Sequence, residues 1–284
     1  MTAPIAAAMY VQMHIELSKH LSGQTIFGKL WLIVVGCILL AACGRADHAP
    51  PRIAAAADLR LALTEVAAAF ERETGRKVEL VFGSSGNFHR QLQQGAPFEM
   101  FLSADEHYAL DLASAGKAAD EGRLYAVGRI ALIAPRGSPL RVDGTLAGLR
   151  DALSRGQIRR FAIANPDHAP YGKRAQEALE HAGLWQGLKG RLVMGENVAQ
   201  ALQFATEGGA QGGIVAWSLV QDPALANKAD HALIPADWHE PLRQRMVLMK
   251  GAGETARRFY AFMGEPAARA VFVRYGFALP DELH

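Results

Sequence analysis

Short apolar runs alternate with segments of helical spacing from Ile53 onwards, and this alternation constrains the fold more than any other feature of the chain. The run "IAAAA" (53–57) precedes a helical segment that stops at Gly75, "KVELVF" (77–82) precedes a second helix, and "EMFLSAD" (99–105) precedes a third. Strands that alternate with helices are typical of α/β lobes built on mainly parallel sheets. The 284 residues suffice for one large domain or for two lobes of roughly 100–150 residues each.

A second series of strands and helices follows, with apolar runs at 161–165, 191–195 and 212–219. The stretch at 229–249 is extended and is expected to cross back, and two helices broken near Gly264 end the chain. The formal net charge is only +2, so the chain lacks the basic footprint of a nucleic-acid-binding protein.

Small and turn-forming residues occupy at least four of the junctions between a strand and the helix that follows it. These junctions lie at 57–58, 83–86, 169–172 and 195–198. Ligands of open α/β sheets bind outside the carboxyl ends of the strands, where helix N-termini present free N–H groups and about half a positive charge. Several such junctions that converge on one cleft would bind an oxyanion without a lysine or an arginine.

The junction "FGSSGNFHRQL" (82–92) has three possible interpretations. Glycines on both sides of Ser84 and Ser85 permit close approach of a ligand to the backbone, and the serines can donate hydrogen bonds to it. One serine can instead cap the helix. A nucleophilic serine is the third interpretation, although "GSSG" differs from the G-x-S-x-G elbow and the sequence order implies no base partner.

Four motifs together carry a resemblance to a known family: "FGSSGNFHRQLQQGAPFEMFLSAD", "ANPDHAPYG", "GENVAQAL" and the ending "YGFALP". From about Ile53 to Pro280 the chain resembles the molybdate-binding proteins of bacterial ABC transporters. The resemblance implies an α/β, two-lobed type II periplasmic binding protein with a hinge, of the Venus-flytrap kind. Its first lobe would comprise 53–133 and 238–284, and its second lobe 134–237.

The resemblance also implies a function: a monomeric, non-enzymatic protein of the periplasm. It would close on molybdate or tungstate, require no cofactor and no metal other than the oxyanion, and deliver its ligand to an ABC transporter permease in the inner membrane. Another tetrahedral oxyanion, such as sulfate or phosphate, would suit the same fold, because the sequence does not give the size of the cavity. An extracytoplasmic hydrolase that uses Ser85 is a further alternative, from a different class.

Ligand-binding positions follow from the resemblance, residue by residue. Ser85 would donate through its hydroxyl and its backbone N–H, Tyr171 would act from the loop before a second-lobe helix, and Val198 would contribute a backbone N–H. The first junction falls on Ala57 and Asp58, where members of the family carry a hydroxyl or amide residue.

Asp58 departs from the family pattern, because an ionised aspartate can only accept hydrogen bonds. Three arrangements would avoid a repulsive charge: the carboxyl is protonated, Arg60 neutralises it, or it turns inward and caps the helix. Aspartate is among the best N-caps, so capping is the expected arrangement. At the other junctions, Asn197 is expected to cap its helix, Glu196 to face away from the ligand, and His168 to be a solvated loop residue.

The first fifty residues have a different character from the rest. Lys29 precedes a wholly apolar stretch of 14 residues (30–43), which is shorter than the roughly 20 residues of a membrane span and typical of a signal peptide. Its end, "LLAAC", resembles the lipobox of bacterial lipoproteins, in which the cysteine, here Cys43, is lipidated. The sequence therefore predicts a signal peptide at 1–42 and a tether at 43–52, with an ordinary secretory signal or a short membrane anchor as the alternatives. No cysteine follows Cys43, so the mature chain would contain no disulfide.

Overall fold

The computed structural model describes residues 49–280, in which ten strands and ten α-helices follow one another. The predicted signal peptide and Cys43 lie outside the described residues. The strands are β1 (Arg52–Ala56), β2 (Glu79–Gly83), β3 (Met100–Ser103), β4 (Arg123–Gly128), β5 (Ile130–Pro135), β6 (Phe161–Ala164), β7 (Leu192–Gly195), β8 (Gly212–Ala216), β9 (Ala229–Leu233) and β10 (Leu242–Leu248). The helices are α1 (Arg60–Thr74), α2 (Ser85–Gln93), α3 (Glu106–Ser114), α4 (Ala147–Ser154), α5 (Pro170–His181), α6 (Trp185–Leu188), α7 (Val198–Thr206), α8 (Trp217–Val220), α9 (Glu254–Phe262) and α10 (Pro266–Arg274). None of the helices in this part of the chain combines the length and the apolar character that a membrane span requires.

The strands form two five-stranded sheets, one in each lobe, and the predicted two-lobed α/β class is confirmed. The strand orders are β2-β1-β3-β10-β4 and β7-β6-β8-β5-β9. In each sheet two neighbouring pairs are parallel and two are antiparallel, so the sheets are more mixed than the mainly parallel sheets that were expected. Every antiparallel pair contains β5 or β10, the strands that follow directly after a crossing between the lobes.

The chain crosses from the first sheet to the second at Arg129, between β4 and β5, and returns between Leu233 and Leu242. The lobe boundary expected after residue 133 falls inside β5, all of whose pairing lies in the second sheet. The pairing therefore places the crossing at Arg129. In the sequence, the charged Arg129 interrupts the apolar run and indicates two strands, β4 and β5, instead of one.

Helix α1 shows how apolar spacing builds the first lobe. Leu63, Val66 and Phe70 lie on one buried face, and the helix ends at Gly75, whose φ of 67° is a left-handed conformation that glycine adopts without strain. The Phe70 ring packs edge-on against two phenylalanine rings of α9, with centroid distances of 5.2 and 5.5 Å. These contacts pack α9 against the first lobe.

Polar side chains cap three helices that begin at the edges of the sheets. Asn197 Oδ1 accepts from two N–H groups in the first turn of α7 at 3.1 Å, which confirms the cap expected there. Asp105 caps α3, and Ser84 caps α2 by accepting from Asn87 N–H at 3.3 Å. Of the two serines in the second junction, Ser84 is the cap, and Ser85 is the first helical residue.

Candidate functional site

All four of the junctions that stand out in the sequence surround one small cavity between the lobes. The cavity has a volume of about 10 Å³, about the room of one water molecule. It is lined by Ala56, Ala57, Asp58, Gly83, Ser84, Ser85 and Ala104 from the first lobe, and by Ala169, Pro170, Tyr171, Asn197 and Val198 from the second. The structure thus brings all five predicted ligand-binding positions together on the wall of this cavity.

Ser85 reaches the wall as the first residue of α2, and its side chain is buried. Its Oγ accepts a hydrogen bond from the backbone N–H of Ala104 at 3.0 Å. Because a hydroxyl has one proton and can also accept, this bond leaves the proton of Ser85 free to be donated to another group.

Ser84 makes contact with the other lobe as well as capping its helix. Its Oγ lies 3.0 Å from Nδ1 of His168, and the backbone N–H of Gly86 donates to the carbonyl oxygen of His168 at 2.9 Å. His168 is therefore an interlobe contact rather than the solvated loop residue that was expected. Burial lowers the pKa of its imidazole.

The second-lobe wall is formed by the first turns of α5 and α7. Val198 is the first residue of α7, so its N–H is one of the groups at a helix start that have no acceptor within the helix. Tyr171 is buried in the first turn of α5, and its hydroxyl donates to Oδ2 of Asp58 across the lobe interface at 3.0 Å. Burial and the neighbouring Asp58 hold the pKa of Tyr171 well above its usual value, so this hydroxyl keeps its proton.

The expectation that Asp58 caps a helix is wrong. Asp58 lies inside a short 3₁₀ turn (Ala57–Leu59) between β1 and α1, and neither this turn nor α1 has a side-chain cap. The turn directs the carboxyl toward the other lobe instead of back to the helix start. Arg60 does not supply a counter-charge, because its guanidinium lies over the ring of Phe82 at 5.1 Å.

A chain of buried hydrogen bonds holds the Asp58 carboxyl in place. Nε2 of Gln244, on β10, donates to Oδ2 of Asp58 at 2.6 Å and also lies 3.3 Å from the hydroxyl of Tyr171. The hydroxyl of Tyr125, on β4, donates to Oε1 of Gln244 at 2.7 Å. This bond orients the amide, because the opposite orientation would place the amide oxygen against the carboxylate.

Sequence reasoning missed Gln244 and Tyr125, although one signal was available for Gln244. In β10 the buried and partly buried residues alternate, and Gln244 falls on a buried position between Leu242 and Met246. A polar side chain on the core face of a strand requires a partner there.

Burial raises the pKa of Asp58 to about 6, and the hydrogen bonds from Gln244 and Tyr171 only partly offset this effect. The two carboxyl oxygens are not equivalent. Oδ2 receives both of these hydrogen bonds, whereas Oδ1 is buried and has no hydrogen-bond partner among the described residues. A buried carboxyl oxygen without a partner is costly and is a candidate for protonation or for contact with a ligand.

Further contacts join the lobes at the rim of the cavity. Nδ2 of Asn87 donates to Oε1 of Glu196 at 2.9 Å, and Arg174 of the second lobe lies 3.3 Å from the Asp105 carboxylate of the first. Glu196 is not among the residues that line the cavity, in agreement with the expectation that it faces away from it. The structure therefore presents the two lobes in a closed arrangement.

A larger groove of about 460 Å³ lies elsewhere and is open to solvent. It is lined by Glu177 and residues 237–241, which include the carboxylates of Asp237 and Glu240. Three carboxylates in one groove would repel an anion, so this groove is not an alternative to the enclosed cavity as an oxyanion site.

Comparison with known proteins agrees with this geometry. The family model described as bacterial extracellular solute-binding protein matches residues 51–278. The molybdate-binding protein ModA of Azotobacter vinelandii is 35% identical over 251 residues, which are 87% of this chain and 96% of that protein. ModA of Rhodobacter capsulatus is 34% identical over 249 residues, 86% of this chain and 92% of its own length.

A solved structure of the Azotobacter vinelandii periplasmic molybdate-binding protein superimposes with a TM-score of 0.74 at 31% identity, over 81% of this chain and 99% of that one. The matches span nearly all of the described residues and nearly the full length of these relatives. The chain therefore belongs to the bacterial extracellular solute-binding proteins and, among them, to the ModA family.

Proposed function

We propose that this protein binds molybdate, and its analogue tungstate, outside the cytoplasm and delivers it to an ABC transporter permease. The observation that carries the proposal is the convergence of four strand-to-helix junctions, two from each lobe, on one enclosed cavity. The relatives named as molybdate-binding proteins support the choice of ligand.

The donors on the cavity wall suit a dianion. Three helices of nine residues or more, α2, α5 and α7, begin there, and each N-terminus presents free N–H groups and about half a positive charge. Together they offset more than one negative charge without a lysine or arginine on the wall. In this proposal Ser85 donates its free hydroxyl proton, Val198 its N–H, and Ala57, Asp58 and Tyr171 complete the wall.

A cavity of about 10 Å³ is smaller than a tetrahedral oxyanion, whose four oxygens are each about the size of a water molecule. Since first-lobe and second-lobe residues form opposite walls, a small separation of the lobes enlarges the cavity. The ligand is therefore expected to enter through opening of the interlobe contacts and to be enclosed when they form again.

One observation favours a second candidate ligand, singly protonated phosphate. Oδ1 of Asp58 is an acceptor without a protein partner, and a hydrogen phosphate ion carries a proton that an ionised carboxylate could accept. Sulfate has no such proton and is smaller than molybdate. Because sulfate is smaller, fewer donors on the cavity wall would reach it.

Isothermal titration of the mature protein with molybdate, tungstate, sulfate and phosphate tests the proposed function. We expect molybdate and tungstate to bind with similar affinity, and sulfate and phosphate to bind at least a hundredfold more weakly. Tighter binding of phosphate than of molybdate would favour the second candidate. Equal affinities for sulfate and molybdate would contradict the proposed specificity.

A serine hydrolase has less support from the site. The Oγ of Ser85 accepts from a backbone N–H, and the histidine at the rim, His168, contacts the capping Ser84 instead. We propose that the ligand is released unchanged, which recovery of intact ligand from a denatured complex would test.

The proposed location rests on the sequence. A signal peptide at 1–42 and lipidation of Cys43 would place the protein in the periplasm on a membrane tether, where it acts as a monomer. Fractionation of cells that express wild type or Cys43→Ser tests the anchor, with wild type expected in the membrane fraction and the variant in the soluble fraction. Detection by mass spectrometry of an unmodified N-terminus at another residue would contradict the lipidation of Cys43.

A further inference from the structure

Asp58 makes this site different from one whose wall contains only neutral hydrogen-bond donors. Its carboxyl is fully buried, lines the cavity, and belongs to the first lobe. Oδ2 is saturated by Gln244 and Tyr171, so any proton on the carboxyl belongs on Oδ1, the oxygen that has no protein partner. A hydroxyl in that position would add one donor to the cavity wall, which Ser85 also lines.

We propose that Asp58 binds the oxyanion as a neutral carboxylic acid, with Oδ1–H donating to a ligand oxygen, so that binding of a fully deprotonated oxyanion takes up one proton. This inference rests on the proposed function and deepens it. It makes Asp58 the residue that couples the affinity for a deprotonated oxyanion to pH.

The charges around the carboxyl favour the neutral form once a dianion is bound. The groups that face it are the hydroxyls of Tyr171 on α5 and Tyr125 on β4 and the amide of Gln244 on β10. Helices α7 and α8, which pack on the 3₁₀ turn, carry no ionisable side chain. The other two elements packed on the turn, α1 and β2, carry the charged residues Arg60, Glu65, Glu71, Arg72, Glu73 and Glu79.

None of these charges acts as a counter-ion to Asp58. Arg60 lies over Phe82, and Glu65 pairs with Arg274. Burial raises the pKa of Asp58, and hydrogen bonds, chiefly those from Gln244 and Tyr171, lower it. A carboxylate in this enclosed place would repel a dianion, and a single proton replaces the repulsion with a hydrogen bond.

The proton balance of the step is simple. When the free protein holds Asp58 ionised, one proton moves from solvent to Oδ1 as the dianion binds, and no bond within the ligand breaks. On release the ligand leaves as the dianion and the proton returns to solvent. Hydrogen phosphate would bring its own proton to the same position, so its binding would take up none.

The free carboxyl has a pKa of about 6, and a bound dianion raises this pKa further. The form that binds is the protonated one, so affinity is highest below about pH 6 and falls as pH rises above it. The slope approaches tenfold per pH unit for one linked proton.

The test is isothermal titration with molybdate at pH 7.0, 7.5, 8.0 and 8.5, each in two buffers of different ionisation enthalpy, which counts the protons taken up. Molybdate at micromolar concentration is a monomeric dianion throughout this range, and the lowered pKa of His168 keeps that imidazole neutral. For wild type we expect Kd to rise about tenfold per pH unit, with close to one proton taken up per molybdate at pH 8.

Asp58→Asn is the matched variant, because an asparagine oxygen can accept from Gln244 and Tyr171 while its N–H₂ takes the place of Oδ1–H. We expect its Kd to change less than twofold over the range, with no proton uptake. Glu196→Gln removes a carboxylate at the rim, outside the cavity lining, and should keep the wild-type pH dependence.

Wild-type binding that is independent of pH and takes up no proton would overturn the proposal and leave the proposed function intact. Loss of the pH dependence in Glu196→Gln would also overturn it, because the proton would then be taken up at Glu196 and not at Asp58. Absence of molybdate binding by wild type at every pH would refute the proposed function itself. Proton counting on wild type needs no variant, so it decides the question even if Asp58→Asn folds poorly.

Discussion

At the scale of single residues, the same proton on Asp58 favours both the folded protein and the binding of a dianion. Its pKa in the folded protein is about 6, against a usual value of 3.8, so the folded protein holds the proton more tightly than the unfolded chain. The stabilisation is complete below about pH 4 and is lost as pH rises through about 6. The difference between these two pKa values corresponds to about 3 kcal/mol, which is the upper bound of the effect.

Asp58→Asn should therefore stabilise the protein without ligand at neutral pH and not in acid. We expect the free energy of unfolding to rise by about 1–3 kcal/mol at pH 7.5 and to change by less than about 0.5 kcal/mol at pH 4. Urea unfolding of both proteins at the two pH values measures this. An equal difference at both values would mean that ionisation of Asp58 is not the cause.

The two adjacent serines provide a second prediction, because the structure gives them different tasks. Ser85→Ala removes a donor to a charged ligand and should weaken molybdate binding by about 1.5–3 kcal/mol. Ser84→Ala removes the cap of α2 and should lower stability by about 1 kcal/mol with a smaller effect on binding. Titration and thermal unfolding of both variants separate the roles, and a binding loss below about 0.5 kcal/mol in Ser85→Ala would mean that its hydroxyl does not face the ligand.

Some residue roles could be predicted from the sequence and others could not, for a physical reason. Asn197 caps the helix directly beside it, so its role follows from local sequence. Asp58 finds its partners Tyr171 and Gln244 at separations of 113 and 186 residues, and only the folded chain brings them together. The local rule for aspartate at a helix start fails here because Asp58 lies inside a 3₁₀ turn, which directs its carboxyl toward the other lobe.

At the scale of elements, the strand-to-helix junctions could be predicted from the sequence because each consists of consecutive residues. An apolar run, a small or turn-forming residue and a helical pattern lie side by side in the sequence. The mixture of parallel and antiparallel pairs in each sheet could not be predicted from the sequence. It arises from β5 and β10, whose antiparallel pairing depends on how the chain crosses between the lobes.

Helix α2 carries a prediction about how closely the lobes can approach. A Cβ added at Gly86, in its first turn, would lie 2.6 Å from the His168 carbonyl oxygen of the other lobe. Gly86→Ala should therefore hold the lobes apart and weaken molybdate binding at least tenfold, although alanine favours the helix itself by about 1 kcal/mol. Gly190→Ala, at a position with open space around it, is the control and should bind as wild type does. Unchanged affinity in Gly86→Ala would show that this contact is not needed for binding.

At the scale of the whole molecule, the lobes are joined by two neighbouring segments. The first crossing is Arg129, and the second begins at Ile234, whose N–H donates to the carbonyl oxygen of Ile130 at 3.1 Å. Nη2 of Arg129 donates to the carbonyl oxygen of Ile234 at 3.3 Å. Two crossings that are bonded to each other can act as one hinge, about which opening breaks the rim contacts while both sheets keep their pairing.

Closure about this hinge should depend on the ligand, because the cavity wall is shared between the lobes. An oxyanion that contacts both lobes favours the closed arrangement by its differential affinity for it. We expect solution X-ray scattering to show a smaller radius of gyration for wild type when molybdate is added at saturation, and no change with sulfate at the same concentration. Gly86→Ala should show little or no decrease even at saturation, whereas Gly190→Ala should contract like wild type, which separates failure to close from failure to bind. A wild-type radius of gyration that stays constant while titration proves the site to be occupied would mean that binding proceeds without a hinge motion, and the rim contacts would then be permanent features of the fold.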